Sequence, residues 1–264
     1  MNNNLTFLII SSRNDISVEK TIQSTIGVGR VILIDGGLRN LRNFENYKEI
    51  SLIELAKRYN VEYVFRSYDY AAAQYNFGLN RIRTEWAFVI DSDEILSEEL
   101  IDWLSNGKFE QYNQYYVRRH NYFLGKFIRY GQFSPDKNLR LFRTNIAKYE
   151  DRKVHARVNF SGKCGTAPGN LIHHTVNDLD SFFLKMIEFS KLEPIARKQG
   201  NESNEILARL RRILMRLPFQ ATLRFCYSYI WRGGILDGKI GFLLAKSASF
   251  YETLVSLREY FNEE

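Results

Sequence analysis

The sequence predicts an α/β fold in which a mostly parallel sheet is wound on both faces by helices. Two observations support this prediction: short apolar runs alternate with helical patterns through residues 1–106, and most of these runs end in polar residues. The predicted strands are Leu5–Ile10, Val31–Ile34, Val61–Phe65 and Trp86–Ile90, and the predicted helices lie near Val18–Thr25, Phe44–Tyr59 and Ala71–Ile82. This alternation implies right-handed crossovers between parallel strands.

The pattern changes after about Asn106, where the apolar runs become shorter and alternate with charged residues. The predicted strands there are Tyr115–Phe123, Leu139–Phe142, Val154–Phe160 and Leu171–His174. We interpret residues 107–177 as a mixed or antiparallel extension of the sheet, so that one domain would cover residues 1–177. Residues 178–264 follow a helical pattern interrupted at Gly200, Pro218 and Gly233–Gly234, which predicts a helical C-terminal region.

Length and composition are those of an ordinary globular protein. The chain has 264 residues, of which 45% are hydrophobic, and no apolar run approaches the roughly 20 residues that span a bilayer. Since the amino terminus lacks a signal-peptide pattern, we expect a cytosolic protein without a transmembrane helix. Cys164 and Cys226 have no metal-ligand or disulfide spacing. The net charge of +7 favours acidic partners, namely nucleotide phosphates, nucleic acid or anionic lipid, without choosing among them.

The apolar run Trp86–Ile90 ends abruptly in Asp91, Ser92, Asp93 and Glu94. On an extended backbone, residues separated by one position point to the same side, so the carboxylates of Asp91 and Asp93 are expected to converge on one hard cation. Such a cation would neutralise a diphosphate. Alternatively, these residues begin a loop and cap a helix that starts near Ser97.

Polar residues follow three of the predicted strands, at Ser11–Asp15, Asp35–Gly37 and Asp91–Asp93. Because ligands of parallel sheets bind beyond the carboxyl ends of the strands, we expect these segments to form one nucleotide-binding crevice. Residues 1–106 would then be the nucleotide-binding half of the domain, and residues 107–177 the acceptor half. Arg13 and Arg66 lie near predicted strand ends and are candidates for phosphate binding, unless they are ordinary solvated surface residues.

An ordered series of short segments extends over nearly the whole chain. The segments are Ile9–Asp15, Asp35–Gly37, Gln74–Asn76, Asp91–Glu94, Phe123–Gly125, Pro135–Arg143, Val154–His155, Ile172–His173 and Arg232–Gly238. This series resembles the family 2 glycosyltransferases of GT-A fold, in particular the lipopolysaccharide-core branch that includes β-1,4-glucosyltransferases.

The resemblance implies transfer of a sugar from a nucleotide donor, usually a uridine diphosphate sugar, with inversion at the anomeric carbon. It assigns Asp35 to the base or ribose, and the segment Asp91–Ser92–Asp93 to the donor, with the two aspartates binding Mn²⁺ or Mg²⁺. It also gives Gln74 and Asn76 a secondary role beside the nucleotide, for which ordinary helix-surface polarity is the alternative.

The same resemblance implies a further kind of metal ligand, and the strand around Leu139–Phe142 offers two arginines. A third metal ligand in such enzymes is often a histidine from the later half, which makes His155, His173 and His174 candidates, although a histidine in a strand is more often structural. Arg140 and Arg143 are candidates for contact with the donor phosphates or an anionic acceptor. Structural ion pairs are the alternative for both arginines.

The general base is where the sequence departs from the family pattern. An inverting transfer needs a carboxylate that accepts the proton of the acceptor hydroxyl. Related sequences read Val-His-Glu, whereas this chain has Ala156 after Val154 and His155. Glu150, Asp151 and Asp136 are the remaining candidates, unless they are turn or capping residues.

The C-terminal region combines arginines with leucines at 207–217 and has an aromatic, basic segment from Trp231 onward. This pattern suits the surface of an anionic bilayer at the inner face of the cell membrane, or alternatively a helix that packs on the core with solvated arginines. The leading hypothesis is a metal-dependent glycosyltransferase that acts on a glycan or lipid-linked acceptor of a bacterial surface polysaccharide.

Two other classes of function are less well supported. A nucleotidyltransferase usually has a glycine-rich phosphate loop after the first strand, and Ser11–Asp15 contains no glycine. A nucleic-acid-binding protein is disfavoured because the aromatic residues fall in apolar patterns, and no nucleic acid partner is expected.

Overall fold

The computed structural model describes residues 1–12, 17–37, 51–107, 109–150, 158–159, 162–176, 178–199 and 219–261. The predicted alternation of strands and helices in the first part is confirmed. The elements are β1 (Leu5–Ser11), α1 (Val18–Thr25), β2 (Arg30–Asp35), α2 (Leu52–Tyr59), β3 (Glu62–Phe65), α3 (Ala71–Leu79) and β4 (Trp86–Asp91). The first residues of the helix predicted over Phe44–Tyr59 lie outside the described residues.

The remaining strands extend the same sheet. They are β5 (Glu94–Leu96), β6 (Gln114–Phe123), β7 (Lys126–Phe127), β8 (Asp136–Arg143) and β11 (Gly165–Val176), while β9 (Lys148–Tyr149) and β10 (Val158–Asn159) form a separate ribbon. In the described part of the chain, the main sheet has the order β3-β2-β1-β4-β8-β6-β11-β5, with β7 paired to β6. Strands β1 to β4 pair with one another in parallel, whereas β8 is antiparallel to β4. The predicted fold class is confirmed.

Both faces of the central strands are buried, which explains why their sequences are continuous apolar runs. Phe7 and Phe88 belong to a core that also includes residues of α1, α2 and α4 (Glu98–Ser105). Leu8 and Val89 belong to a second core, on the side of α3. Gly78 of α3 allows this helix to lie directly on the sheet, because a Cβ there would come within 2.4 Å of Leu8.

The segment after β4 differs from the expected extended backbone. Strand β4 ends at Asp91, a turn follows at residues 92–93, and the short strand β5 pairs antiparallel with β11. The sequence did not reveal β5, because three residues are too few to show a periodicity. The helix expected near Ser97 is present: Leu100 N donates to Ser97 Oγ at 3.4 Å, which caps the start of α4.

The chain divides into two compact units, one of residues 1–119 and 136–173 and the other of residues 120–135 and 174–264. The segment 107–177, expected to act as one half of a domain, is therefore shared between the units. The second unit contains α5 (Leu179–Gln199), α6 (Gln220–Cys226) and α7 (Gly238–Phe261). Its core includes Phe123, Ile128, Phe182, Met186 and Leu244.

The predicted break at Gly233–Gly234 is confirmed, since Gly233 has a φ of 71° and a 3₁₀ turn, Gly234–Asp237, precedes α7. The carboxylate of Asp237 accepts hydrogen bonds from the backbone N–H groups of Arg129 and Tyr130, at 3.1 and 2.8 Å, which ties this turn to the β7 hairpin. The breaks expected at Gly200 and Pro218 lie outside the described residues. Within the described ranges, the chain contains no helix that is long and apolar enough to cross a membrane.

Candidate active site

The polar ends of β1, β2 and β4 lie at one edge of the sheet. In the parallel register Ser11 is opposite Asp35, and Ile10 is opposite Asp91. Antiparallel pairing also brings the beginning of β8 to this edge, because Phe88 pairs with Leu141 and the two strands run in opposite directions. The structure therefore brings together three strand ends that the sequence identified.

Asp35 is a buried carboxylate with a fixed orientation. Its Oδ1 accepts from the N–H of Gly37 at 2.7 Å, and its Oδ2 accepts from the hydroxyl of Tyr63 at 2.6 Å. Gly36 lies close to the backbone of β1, since a Cβ at this position would come within 3.2 Å of the Ser11 carbonyl oxygen. The same position is close to the side chains of Tyr68 and Gln74, so a larger residue than glycine would be crowded here.

Asp91 is held by a hydroxyl and a guanidinium group. Its Oδ1 accepts from Tyr75 at 2.9 Å, and its Oδ2 accepts from Arg140 Nη2 at 2.6 Å. The same Nη2 donates to Glu94 Oε1 at 2.5 Å, and Arg119 Nη1 donates to this oxygen at 3.3 Å. Glu94 Oε2 accepts from the backbone N–H of Asp91 at 3.1 Å. Fully buried Glu94 therefore orients both arginines and the end of β4.

These neighbours move the pKa values of the two carboxylates in opposite directions. Burial alone would raise the pKa of Asp91, but the charge and hydrogen bond of Arg140 outweigh this effect and hold the pKa well below its ordinary value. For Glu94, burial is the largest effect and raises the pKa, although Arg140 opposes it. Asp91 is thus fixed as an anion at the edge of the sheet.

The turn after β4 points Asp93 toward β11. Thr21 Oγ1 donates to the carbonyl oxygen of Ser92 at 2.8 Å, which anchors the turn to α1. Asp93 Oδ2 lies 3.2 Å from Nε2 of His173. The histidine reaches this position because it pairs with Glu94 in the β5–β11 register. The extended backbone predicted between Asp91 and Asp93 is therefore wrong, and the two carboxylates have different partners.

In the described part of the chain, no group of three or more His, Cys, Asp or Glu side chains is arranged to hold a metal ion. Asp93 and His173 instead form a pair with one carboxylate, a ligand that suits Mn²⁺ and Mg²⁺, and one imidazole, a common ligand of transition metals. Because divalent ions at phosphate sites are held by one or two protein groups together with substrate oxygens and water, this pair fits such an ion.

Gln74 and Asn76 make structural contacts in this structure. Gln74 accepts from Arg66 Nη1 at 2.7 Å and donates to the Arg66 carbonyl at 2.8 Å, so it also holds this predicted phosphate ligand in place. Asn76 forms two hydrogen bonds with the backbone of Tyr149, donating at 3.0 Å and accepting at 2.8 Å. The pair therefore joins α3 to the β3 end and to β9.

Two other site candidates, Asp136 and Arg143, form ion pairs or hydrogen bonds with neighbouring side chains. Asp136 accepts from Arg119 Nε at 2.7 Å and from Asn138 Nδ2 at 3.1 Å, so its carboxylate joins the network of charges around Glu94. Arg143 lies at the opposite end of β4, where it pairs with Glu85 and covers the Trp86 ring, which supports its structural alternative. The sites predicted at Arg13, Asp151 and His155 lie outside the described residues.

A cavity of about 440 Å³ opens beside Asp91. Its wall contains three tyrosines and three cationic residues, namely Tyr75, Tyr116, Tyr149, Arg119, Lys137 and Arg140. The rings of Tyr75 and Tyr149 stack with centroids 4.5 Å apart. Of these six residues, only Arg140 was predicted from the sequence to belong to the site. The sequence signal for the others is that charged residues alternate with apolar ones in β6 and β8. The pairing of these strands places Arg119 opposite Asp136 and Arg118 opposite Lys137.

The sheet, with parallel strands β1 to β4 and an antiparallel extension, has the GT-A fold, and Asp91 at the end of β4 lines the cavity. The chain is 22% identical over 265 residues to the lipopolysaccharide core biosynthesis glycosyltransferase LpsC of Rhizobium meliloti (strain 1021), covering 97% of this chain and 92% of the relative. No protein-family model matches the chain.

Two solved structures are also similar. One is the mannosyltransferase PcManGT from Pyrobaculum calidifontis in complex with GDP-Man and Mn²⁺, with a TM-score of 0.52 at 8% identity, covering 100% of this chain and 89% of that chain. The other is S. aureus TarS 1–349, with a TM-score of 0.43 at 10% identity, covering 98% of this chain and 92% of that chain. The predicted resemblance, fold class and enzyme class are confirmed.

Proposed function

We propose that this glycosyltransferase transfers a sugar, with inversion, from a uridine diphosphate sugar to a glycan or lipid-linked acceptor of a bacterial surface polysaccharide, and that it uses Mn²⁺ or Mg²⁺. The observation that carries the proposal is the collection of Asp35, Asp91, Asp93 and His173 at one edge of the sheet, where Asp91 lines a cavity. The similarity to LpsC over nearly the whole chain supports the polysaccharide acceptor. The Mn²⁺ and GDP-Man bound to PcManGT support a metal and a nucleotide-sugar donor.

In this proposal the donor lies across the ends of β2, β1 and β4. Asp35 binds the nucleoside, because its buried carboxylate is already oriented by Gly37 and Tyr63. Asp93 and His173 bind the metal, with Asp91 and Ser92 beside the diphosphate. The metal ion would stabilise the charge that develops on the departing diphosphate. Arg66, Gln74 and Asn76 support this side of the site from β3 and α3.

We assign the general base to Glu150 or to Asp151, which follows it. Glu150 comes directly after Tyr149, whose side chain lines the cavity. Asp136 is the weaker candidate, because both of its oxygens are engaged by Arg119 and Asn138. We assign Asp136 instead to positioning the Arg119 guanidinium between β6 and β8.

Thermal unfolding in the presence of nucleotides tests the donor site. At about 100 times its Kd, a uridine diphosphate sugar with Mn²⁺ is expected to raise Tm by about 5–10 °C, because a ligand of the folded state shifts unfolding by mass action. Asp35→Asn should reduce the shift, whereas Asp102→Asn, an exposed position on α4, should leave it unchanged. A wild-type Tm that no uridine or guanosine diphosphate sugar changes, with or without Mn²⁺, would contradict the donor assignment.

We also propose that the second unit contacts the anionic inner face of the cell membrane through one surface, here called the Trp231 surface. Trp231 is 83% exposed, and the apolar residues Phe219, Leu223 and Ile230 that precede it are exposed as well. The surface consists of Phe219, Leu223, Ile230, Trp231, Ile235 and Leu236. Arg224, Lys239 and Lys246 lie on the same unit and, in a chain of net charge +7, complement an anionic bilayer.

Co-sedimentation with vesicles tests this contact. The double variant Ile230→Ser/Trp231→Ser should reduce binding to phosphatidylglycerol-containing vesicles by about ten-fold or more, because two apolar side chains no longer enter the interface. Phe65→Ser is the control, since Phe65 is an exposed aromatic residue of β3 in the other unit. Equal binding by the wild type and the double variant would exclude the Trp231 surface as the contact.

A further inference from the structure

We propose that the cavity beside Asp91 contains a subsite for an anionic substituent, a carboxylate or a phosphate, on a sugar, and that Lys137 supplies the charge that binds it. The inference rests on the proposed function, because it concerns the sugar side of the same site. The proposed function does not specify which chemical groups the sugar carries, and this inference adds one such group, an anionic substituent.

The position of the cavity indicates which part of the substrate enters it. In the order β2-β1-β4-β8-β6, Asp35 lies on one side of β4, whereas Lys137 of β8 and Arg119 of β6 lie on the other. With the nucleoside at Asp35 and the diphosphate at Asp91 and Asp93, the sugar rings are on the side of β8. The volume of about 440 Å³ is within the range of small-molecule sites, about 300–1,000 Å³.

Lys137 differs from the other cations of the cavity in its surroundings. Arg119 and Arg140 are both engaged by carboxylates, namely Asp91, Glu94 and Asp136. The Lys137 ammonium lies 5.1 Å from the centroid of the Tyr116 ring, and it forms no ion pair with a carboxylate in the part of the chain that the structure describes. Its charge is therefore available to a ligand.

A second observation points to the same kind of ligand. The side chain of Arg140 is 7% exposed and lines the cavity. Its Nε is buried without a hydrogen-bond partner among the described residues. A buried N–H group normally has a hydrogen-bond acceptor. An oxygen atom of a bound ligand would supply the acceptor that Arg140 Nε lacks within the described ranges. Among the residues that line the cavity, three are cationic and one, Asp91, is anionic.

The tyrosines of the cavity suit a sugar ring that carries such a group. Tyr75, Tyr116 and Tyr149 line the cavity. Aromatic side chains pack well on the apolar face of a sugar ring. The anionic group belongs either to the transferred sugar, as in a uronic acid, or to the acceptor, as in a phosphorylated sugar. Both sources share the chemistry that Lys137 would recognise.

Isothermal titration with matched pairs of ligands distinguishes these sources. The donor arm compares UDP-glucuronate with UDP-glucose, which differ only in the carboxylate at C6. The acceptor arm compares glucose 6-phosphate with glucose, in the presence and absence of UDP and Mn²⁺. We expect the wild type to prefer the anionic member in one of the two arms.

Three variants test the role of Lys137. Lys137→Gln should weaken binding of the preferred anionic ligand by about three- to ten-fold and leave its neutral counterpart unaffected. Lys137→Arg should restore most of the affinity, because it keeps the charge. Lys57→Gln is the control, since Lys57 is an exposed lysine on α2 that does not line the cavity.

Equal affinities for the anionic and neutral members in both arms would overturn the inference, as would equal losses in Lys137→Gln and Lys57→Gln. If UDP itself does not bind, the proposed donor site fails. The comparison of glucose 6-phosphate with glucose in the absence of nucleotide still decides the anionic subsite in that case.

Discussion

Replacing Asp93 with alanine is expected to lower metal-supported sugar transfer by at least about 100-fold, because the charge of the departing diphosphate loses its stabilising ion. His173→Ala should have an effect in the same direction, since Nε2 of His173 lies 3.2 Å from Asp93 Oδ2. The measurement is release of uridine diphosphate with increasing Mn²⁺ concentration. In both variants the Mn²⁺ concentration for half-maximal activity should rise, and a chelator should abolish the wild-type activity.

Asp102→Ala is the matched control for this experiment, because Asp102 is an exposed aspartate on α4, outside the site. The variant Asp91→Asn distinguishes the role of Asp91 from that of Asp93. Because Asp91 is paired with Arg140 and not with His173, this substitution should lower the rate with a smaller change in the Mn²⁺ requirement. Full turnover with an unchanged Mn²⁺ requirement in Asp93→Ala would refute the metal assignment.

Replacing Glu94 with alanine is expected to destabilise the first unit by about 3–5 kcal/mol, because it removes the carboxylate from a buried ion pair and leaves guanidinium groups uncompensated. Arg140 and Arg119 donate to the same Glu94 oxygen, at 2.5 and 3.3 Å, and the side chain of Glu94 is fully buried. Urea unfolding followed by tryptophan fluorescence measures the loss. In a Trp231→Phe background, the signal comes from Trp86 and Trp103 of the first unit.

Glu99→Ala provides the comparison, since Glu99 is an exposed glutamate in the first turn of α4. Its loss should change the free energy of unfolding by no more than about 1 kcal/mol, the size of an interaction with the helix dipole. If the two variants have the same stability, Glu94 does not organise the network around Arg140.

The sequence predicted the central strands well because each is buried on both faces. Trp86–Ile90 shows no alternation, and both of its faces pack against core residues. The polar residues that follow such runs were also recognisable, which identified Asp35, Asp91 and Asp93. These features are local, so they can be read from a single segment of the chain.

Features that depend on pairing between distant segments were not predictable. Strand β5 has three residues, and it is stabilised by β11, more than 70 positions later in the chain. The role of Glu94 depends on Arg119 and Arg140, which come from two other strands. Residue types along one strand report burial and exposure, but they do not report which strand lies alongside. The resemblance to a known family made His155, His173 and His174 candidates, and the contact of His173 with Asp93 became visible only in the structure.

The pairing of β5 with β11 has a consequence for how this enzyme can diversify. His173 is opposite Glu94, which is one residue beyond Asp93. The pairing of β5 with β11 therefore fixes the distance between Asp93 and His173, the two proposed metal ligands. The intervening chain, from α4 to the start of β11, can lengthen, shorten or exchange its loops without altering their spacing. A one-residue slip within β11 would instead turn the imidazole to the other face of the sheet. We therefore expect the proposed acceptor half of the chain to diverge among relatives while the pair proposed to bind the ion keeps its geometry.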